Sequence, residues 1–274
     1  MTGAILGDIA GSRFEFSKPS GFNYKKVELF GNNCFFTDDT VLTIATKYAL
    51  LNDISYAKAY GKFGRMYRGV GYGTMFQRWL DGHAETGYGS FGNGAAMRVS
   101  YIAYHFDTLE KVEEEAKNSA MCTHNHIEGL KAAVATAGLI YLALRGERKK
   151  DLKKYFNKEF EYPVNKPLWA YRPKAKFDAT AEGTMPLAFR CFMESEDWES
   201  CIRNVFSVKC DTDTVACIAG GIAGAYYKRT VENEKDLLKR YLIKPDKRKV
   251  GEFDRFLLRL GYKVTFPHIF EFRY

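Results

Sequence analysis

Residues 211–227 read DTDTVACIAGGIAGAYY, an acidic segment that runs directly into small and apolar residues. The part from Val215 to Tyr227 predicts a tightly packed helix, because its three glycines let a neighbouring backbone approach closely. The oxygen-bearing side chains before it stand where this helix begins: Asp211, Thr212, Asp213 and Thr214. The segment therefore predicts a buried helix whose first turn carries polar chemistry.

The other strongly periodic segments are also helical. Two of them are the ranges Thr40 to Leu51 and Gly129 to Leu144. A third helix is capped by Asp107 or Thr108 and ends near Met121. A fourth is capped by Ser195, and its apolar face consists of Trp198, Cys201, Ile202 and Val205. Strand patterns are few and short. No repeat or Ser/Gly linker divides the 274 residues, so we expect one mostly α-helical domain over residues 1–274.

The net charge is +8 and the sequence pI is 9.0, which suits a polyanionic partner such as a nucleotide. Much of the excess lies in two runs, Arg145 to Lys154 and Lys228 to Lys249. Runs of this kind are usually solvated helix faces. We therefore do not expect stable binding to nucleic acid.

The six cysteines form no Cys-x-x-Cys pair, which favours buried free thiols in a reducing cytoplasm. The apolar opening of the chain is interrupted by Asp8 and follows no basic segment, so a signal peptide is not expected. The longest small and apolar stretch, Val215 to Tyr227, is shorter than the ~18 residues of a membrane span. We expect a cytoplasmic protein that does not bind membranes.

A second acidic segment, Thr37-Asp38-Asp39-Thr40, stands before the helix that starts at Val41. Helix capping explains one aspartate at each helix start, but not two aspartates and two threonines at both. Such oxygen donors suit Mg²⁺ or Mn²⁺, and uncompensated carboxylates packed together would be costly. About four carboxylates would suit a binuclear site with ions ~4 Å apart.

Asp211 and Asp213 have an alternative interpretation as the Asp-x-Asp motif of an aspartyl phosphatase. Val205 to Val208 would then be the apolar strand that precedes the nucleophile. The surrounding sequence lacks the alternation of strands and helices typical of that class, which disfavours it.

Ser90 to Arg98 begins as a glycine-rich turn, whose exposed N–H groups would suit a phosphate, although a simple Asn-Gly turn explains the sequence too. His124 lies in the segment Cys122-Thr123-His124-Asn125-His126, whose spacing is unusual for structural zinc. A hydrogen bond from His124 to a phosphate or ribose is the preferred interpretation, with a structural histidine as the alternative.

Taken in order, these segments resemble the ADP-ribosylglycohydrolase family, and the resemblance extends to about Tyr227. The matching segments are Gly3 to Ser12 leading to Glu15, Phe36 to Thr40, Phe91 to Gly94 with Met97-Arg98, Thr123 to His126, and Asp211 to Thr214 before Ala216 to Gly220.

The resemblance implies an all-α orthogonal helical bundle with two Mg²⁺ or Mn²⁺ ions at the base of a cleft. The implied metal ligands are Thr37, Asp38, Asp39, Asp211, Asp213 and Thr214. The implied contacts to the diphosphate and distal ribose are Gly89, Ser90, Gly92, Asn93 and Gly94, with His124 nearby. Glu15, Asp38 and Asp39 are the candidates for the general base that activates water.

The expected activity is hydrolysis of the N- or O-glycosidic bond between ADP-ribose and a modified protein, nucleic acid or small molecule. The alternatives are a non-catalytic relative that binds ADP-ribose and a metal-dependent phosphatase. The chain departs from the family at Lys209-Cys210, where members usually have Gly-Gly. Side chains there would narrow the cleft or add a cation near the phosphates.

Overall fold

The structure is a computed structural model that describes residues 1–161 and 166–243. Within those ranges there are thirteen α-helices and no strand, which confirms the all-α prediction. The helices are α1 Thr2–Gly11, α2 Asp38–Leu51, α3 Tyr56–Met66, α4 Thr74–Asp81, α5 Ile102–His105, α6 Leu109–Met121, α7 Ile127–Leu144, α8 Lys149–Phe160, α9 Leu168–Tyr171, α10 Ala181–Met193, α11 Trp198–Phe206, α12 Thr212–Tyr227 and α13 Glu234–Leu238.

Helices α1 and α12 cross with their backbones in contact. Gly3, Gly7 and Gly11 recur at every fourth position of α1 and therefore share one face. A Cβ atom at Gly7 would lie 2.1 Å from the carbonyl oxygen of Ala216, and one at Gly11 would lie 2.6 Å from that of Thr212. Side chains larger than hydrogen are excluded along this face.

Trp198 of α11 stabilises the far end of the same crossing. Its indole Nε1 is 3.3 Å from the carbonyl oxygen of Gly3 and 3.1 Å from that of Gly220. The side chain is fully buried. One indole N–H thus contacts backbone carbonyl oxygens of both helices.

The remaining helices are arranged around this pair. Helices α7, α10 and α11 pack against α12, α6 packs against α7, and α3 packs against α2. The N-termini of α2 and α12 both face the end of α1 where the two acidic segments lie.

One helix in the described part of the chain has the length and apolarity of a membrane span. It is α7, with 18 residues and a mean hydropathy of 1.5, and 61% of it is buried inside the protein. Its 18 residues include Glu128 and Lys131, so it is not an uncharged apolar stretch like Val215 to Tyr227. Packing against α6, α8 and α12 is typical of a core helix.

Four helix starts differ from the sequence predictions. Helix α7 begins at Ile127 and not at Gly129, and α12 begins at Thr212 and not at Val215. The helix predicted from Thr40 begins at Asp38, with Thr37 as its cap, so both aspartates lie in its first turn. The cap of α11 is Asp197 and not Ser195, because Asp197 accepts from the N–H of Ser200 while the Ser195 hydroxyl donates to Phe192. The predicted cap Thr108 of α6 is confirmed.

The aspartyl phosphatase alternative is wrong, since its strand is absent. Val205 and Phe206 are the last residues of α11. The six cysteines are free, as predicted, and five of them are buried. The prediction of one domain over residues 1–274 extends to segments 162–165 and 244–274, which lie outside the described residues.

The crossing of α1 and α12 can be tested with Gly7→Ala. Alanine favours a helix over glycine, but its Cβ would overlap backbone atoms of Ala216, so the two helices must separate. We expect the free energy of unfolding to fall by about 1–3 kcal/mol. Chemical denaturation measures this quantity.

The matched control is Gly73→Ala, where an added Cβ has no atom within 4 Å and φ is −60°. This substitution should lower the free energy of unfolding much less than Gly7→Ala does. Equal stability of Gly7→Ala and the unsubstituted protein would contradict the close crossing.

Candidate functional site

The two acidic segments meet, although they are far apart in the sequence. The hydroxyl of Thr214 donates to Asp39 Oδ2 at 3.2 Å across a separation of 175 residues. Asp39 lies in the first turn of α2, and Thr214 lies in the first turn of α12. Both residues are buried. The two helix starts therefore contribute to one polar cluster.

Two groups of carboxylates converge in this cluster among residues 1–161 and 166–243. Oxygen atoms of Asp8, Asp39 and Asp213 lie within 4.8 Å of one another, and so do those of Glu15, Asp211 and Asp213. Asp213 belongs to both groups. Asp213 therefore links the two groups into one continuous carboxylate cluster.

Asp39 has an oxygen atom that the protein leaves without a partner. Its Oδ2 accepts from Thr214, whereas its Oδ1 is buried and has no hydrogen bond. Buried polar atoms in proteins nearly always have a partner, and an unsatisfied one costs about 1–3 kcal/mol. A cation at this position would provide the missing partner, so the donor set fits a metal.

Asp8 is a member of the cluster that the sequence analysis did not identify. Its Oδ2 accepts from the N–H groups of Thr37 (2.9 Å) and Thr40 (3.1 Å) and from the Thr40 hydroxyl. Its Oδ1 accepts from the Thr37 hydroxyl at 2.7 Å. Four hydrogen bonds occupy this carboxylate, so Asp8 fixes the start of α2 and the orientation of Thr37. The sequence feature that could have identified Asp8 is its position as the one charged residue of an apolar, glycine-rich helix.

Asp38 is not among the carboxylates that converge. It is half-buried, its N–H donates to the carbonyl oxygen of Val70 at 3.0 Å, and its carboxylate lies over Gly71. A Cβ at Gly71 would be 2.9 Å from Asp38 Oδ1, and φ of +115° also favours glycine there. The geometry places Asp38 at the edge of the cluster and Asp39 at its centre.

Burial and mutual repulsion make these carboxylates difficult to ionise. Burial raises the pKa of Asp39 and Asp213 well above the usual value, and neighbouring carboxylates raise both further. Burial also raises the pKa of Asp38 well above its usual value. Burial raises the pKa of Asp8 to about 6, and burial together with Asp211 and Asp8 raises that of Glu15 to about 7.

The glycine-rich turn lies beside Asp211. Asn93 donates from Nδ2 to Asp211 Oδ2 at 2.8 Å and to Thr184 Oγ1 at 3.0 Å. Both amide hydrogens of Asn93 are thereby used inside the protein. The structure thus gives Asn93 a role in orienting Asp211, and its predicted contact to substrate stays a prediction.

Several N–H groups of this turn already have protein partners. Gly89 donates to Asn125 Oδ1 at 2.6 Å, Gly92 to Ser90 Oγ at 3.2 Å, and Asn93 to the carbonyl oxygen of Ala179 at 2.9 Å. Gly89 has φ of +72°. Because Ser90 Oγ accepts from Gly92, its own hydroxyl hydrogen is available to an anion. The predicted phosphate contacts therefore fall first to Ser90 and to N–H groups other than these three.

His124 supports the turn from the protein side. It is buried, its Nδ1 is 2.9 Å from Thr123 Oγ1, and a Cβ at Gly94 would lie 2.9 Å from its Nε2. Burial, and then the charge of Arg98, hold the pKa of His124 well below its usual value. The imidazole is therefore neutral at pH 7. A direct contact with substrate stays a prediction.

The departure at Lys209-Cys210 does not introduce two side chains into the cluster. Cys210 is buried, and burial raises the pKa of its thiol to about 12. Lys209 is exposed to solvent. The two effects expected there, a narrower cleft and a cation near the phosphates, stay predictions.

Comparison with known proteins identifies the family. The sequence model of the ADP-ribosylglycohydrolase family matches residues 1–231. Human ADP-ribosylhydrolase ARH3 is 26% identical over 83% of this chain and 84% of its own length. A putative ADP-ribosyl glycohydrolase of Acanthamoeba polyphaga mimivirus is 22% identical over 84% of this chain and 86% of its own length.

A solved structure agrees with these matches. It is described as an ADP-ribosylglycohydrolase-related protein complex, superimposes with a TM-score of 0.66 and is 26% identical, covering 86% of this chain and 91% of the other. The matched residues include both acidic segments, Asp8, Glu15 and the glycine-rich turn. This chain belongs to the ADP-ribosylglycohydrolase family.

Proposed function

We propose that the protein is a metal-dependent hydrolase that releases ADP-ribose from a modified target by cleaving an N- or O-glycosidic bond. The observation that carries the proposal is the pair of carboxylate groups that share Asp213, next to the unpartnered oxygen of Asp39. Membership of the family and the names of the relatives support the ADP-ribose part. Target candidates are an ADP-ribosylated protein, nucleic acid or small molecule.

Two Mg²⁺ or Mn²⁺ ions are the proposed cofactors, because every donor in the cluster is an oxygen. Asp39, Asp211 and Asp213 would hold them, with oxygens of Thr37 and Thr214 available at the two helix starts. Asp38 would contribute from the edge of the cluster. The bound ions would supply Lewis acidity and orient the ribose hydroxyls and a water.

The protein's own groups supply the proton transfer. Glu15 is half-buried and lies within 4.8 Å of Asp211 and Asp213, next to the proposed ions, and burial raises its pKa in the metal-free protein. A general base must lie within hydrogen-bond reach of the proton that it removes, directly or through one water. Glu15 is therefore our preferred proton acceptor among the three candidates, because Asp39 is deeply buried and Asp38 lies at the edge.

The reaction exchanges one bond at the anomeric carbon for another. The water oxygen bonds to this carbon as its proton passes to Glu15. The nitrogen or oxygen of the target leaves with the bonding electrons and takes up a proton from solvent, to which Glu15 afterwards releases its own. Asn93 keeps Asp211 in place during the exchange, and Asp8 does the same for Thr37. Fixed positions of this kind lower the entropic part of the barrier.

The proposal is tested by incubating the protein with ADP-ribosylated proteins carrying defined linkages and with a generic phosphate ester. We expect release of free ADP-ribose with Mg²⁺ or Mn²⁺, and loss of release with EDTA. ADP-ribose binding without release would indicate a non-catalytic relative. Hydrolysis of the phosphate ester alone would indicate a phosphatase.

Asp213→Asn should reduce both metal affinity and ADP-ribose release, because Asp213 belongs to both carboxylate groups. Loss of a group that supports a metal ligand lowers metal affinity or activity by about 10–100-fold, so loss of a shared ligand should lower both by about 100-fold or more. Calorimetric titration with Mn²⁺ and the release assay measure the two effects separately.

The matched control is Asp53→Asn, the same chemical change at the opposite end of α2. Asp53 is exposed and has φ of +50°, which asparagine tolerates well. This variant should retain metal binding and release. Normal Mn²⁺ affinity in Asp213→Asn would exclude the shared site.

The raised carboxylate pKa values predict how pH affects the stability of the metal-free protein. Folding raises the pKa of Glu15 from 4.5 to about 7, so the folded state binds more protons than the unfolded state between these values. The stabilisation is complete below pH 4.5 and is lost as the pH rises through 7. In EDTA, the melting temperature should fall over this window.

Glu15→Gln should make this fall less steep, whereas Glu147→Gln, at an exposed position, should leave it unchanged. Mn²⁺ should raise the melting temperature more at pH 7.5 than at pH 5, because bound cations favour ionised carboxylates. A melting temperature in EDTA that rises from pH 5 to 7.5 would contradict the electrostatic description of the site.

A further inference from the structure

Beside Glu15 lies a surface that the proposed reaction does not use. We call it the cationic-aromatic face and define it by Phe16, Lys18, Tyr24, Lys25, Arg172, Lys176 and Phe177. Phe16 directly follows Glu15 and stacks on Phe177, with ring centroids 5.9 Å apart and an interplanar angle of 27°. Phe16 is 78% exposed and Phe177 is 42% exposed, so the pair is a platform open to solvent.

Contacts join the rest of this face to the same region. Arg172 lies over the Tyr24 ring at 5.3 Å, and Lys25 Nζ is 5.9 Å from the centroid of that ring. Arg172 Nε donates to Ser207 Oγ at 3.2 Å. Lys18 donates to the carbonyl oxygens of the residues on either side of Ser207, Phe206 at 2.7 Å and Val208 at 2.6 Å.

Three exposed cations of the face have no ion-pair partner within 4.0 Å among the described residues. Lys25, Arg172 and Lys176 are exposed, and none of the three forms an ion pair with any carboxylate of residues 1–161 and 166–243. By contrast, the two basic runs of the sequence contain local pairs such as Arg148 with Asp151 and Arg229 with Glu232. The face is therefore distinct from those runs.

We propose that the cationic-aromatic face binds single-stranded nucleic acid and presents an ADP-ribosylated strand to the site. Exposed cations attract the phosphates, and exposed aromatic rings stack on unpaired bases, which is how sequence-tolerant single-strand binders work. An acidic peptide would use the cations alone, and a duplex would hide its bases from the rings. The contact is weak and salt-dependent, so it assists binding of the linked ADP-ribose.

This inference rests on the proposed function for its purpose, but its test needs no hydrolysis. Fluorescence anisotropy of a labelled, unmodified single-stranded oligonucleotide should report binding that weakens as salt rises. In Lys25→Glu/Lys176→Glu, the slope of log affinity against log salt should shrink by about 1.4, because each lost phosphate contact removes about 0.7. The control Lys58→Glu/Lys117→Glu makes the same charge change at exposed positions on α3 and α6.

Stacking is tested separately. Phe177→Ala should weaken oligonucleotide binding about five-fold or more, since one base stack is lost. The control Leu51→Ala removes an apolar side chain of similar exposure, 43%, at the end of α2. It should bind like the unsubstituted protein, and an unchanged melting temperature in each variant verifies that it is folded.

Equal oligonucleotide affinity in the face variants and their controls would overturn the inference. An acidic peptide that binds as tightly as the single-stranded oligonucleotide would also overturn it and would indicate a protein partner. A duplex that binds as tightly as the single strand would overturn it too and would indicate that charge alone is recognised. A protein that binds the oligonucleotide but releases no ADP-ribose would contradict the proposed function only. One that releases ADP-ribose from proteins but ignores the oligonucleotide would contradict this inference only.

Discussion

The close contact between the backbones of α1 and α12 is the constraint on which the site depends. Gly7 lies against Ala216, and Gly11 lies against Thr212 and Asp213. Because no side chain separates the helices, Asp8 is held next to the start of α12, and the turn after α1 delivers Glu15 to Asp211. The glycines that allow this packing and the carboxylates that form the cluster therefore alternate along the same short segment.

The second consequence is electrostatic. Bringing the starts of α2 and α12 together places several carboxylates in a buried volume, where each raises the pKa of its neighbours. The protein provides some compensation, through the hydrogen bonds to Asp8 and the amide of Asn93 on Asp211. It provides none for Asp39 Oδ1. A site that is only partly compensated by its own groups is suited to bind cations.

The sequence predicted the helices and the acidic segments because those signals are local. A cap followed by apolar periodicity identifies α2, α6 and α12 without any knowledge of the fold. The role of Asp8 was not predictable in this way, because its partners Thr37 and Thr40 are 29 and 32 residues away. The same limit applies to Asn93, whose contact with Asp211 spans 118 residues. The cap of α11 was misplaced because Ser195 and Asp197 are both suitable caps and stand two residues apart.

Anomalous diffraction would show whether the two acidic segments hold a pair of cations between them. Crystals grown with Mn²⁺ should be measured at the manganese absorption edge. We expect two anomalous peaks ~4 Å apart between the starts of α2 and α12, within coordination distance of Asp39, Asp211 and Asp213. Fully occupied Mn²⁺ elsewhere, with no peak beside these three carboxylates, would contradict this expectation.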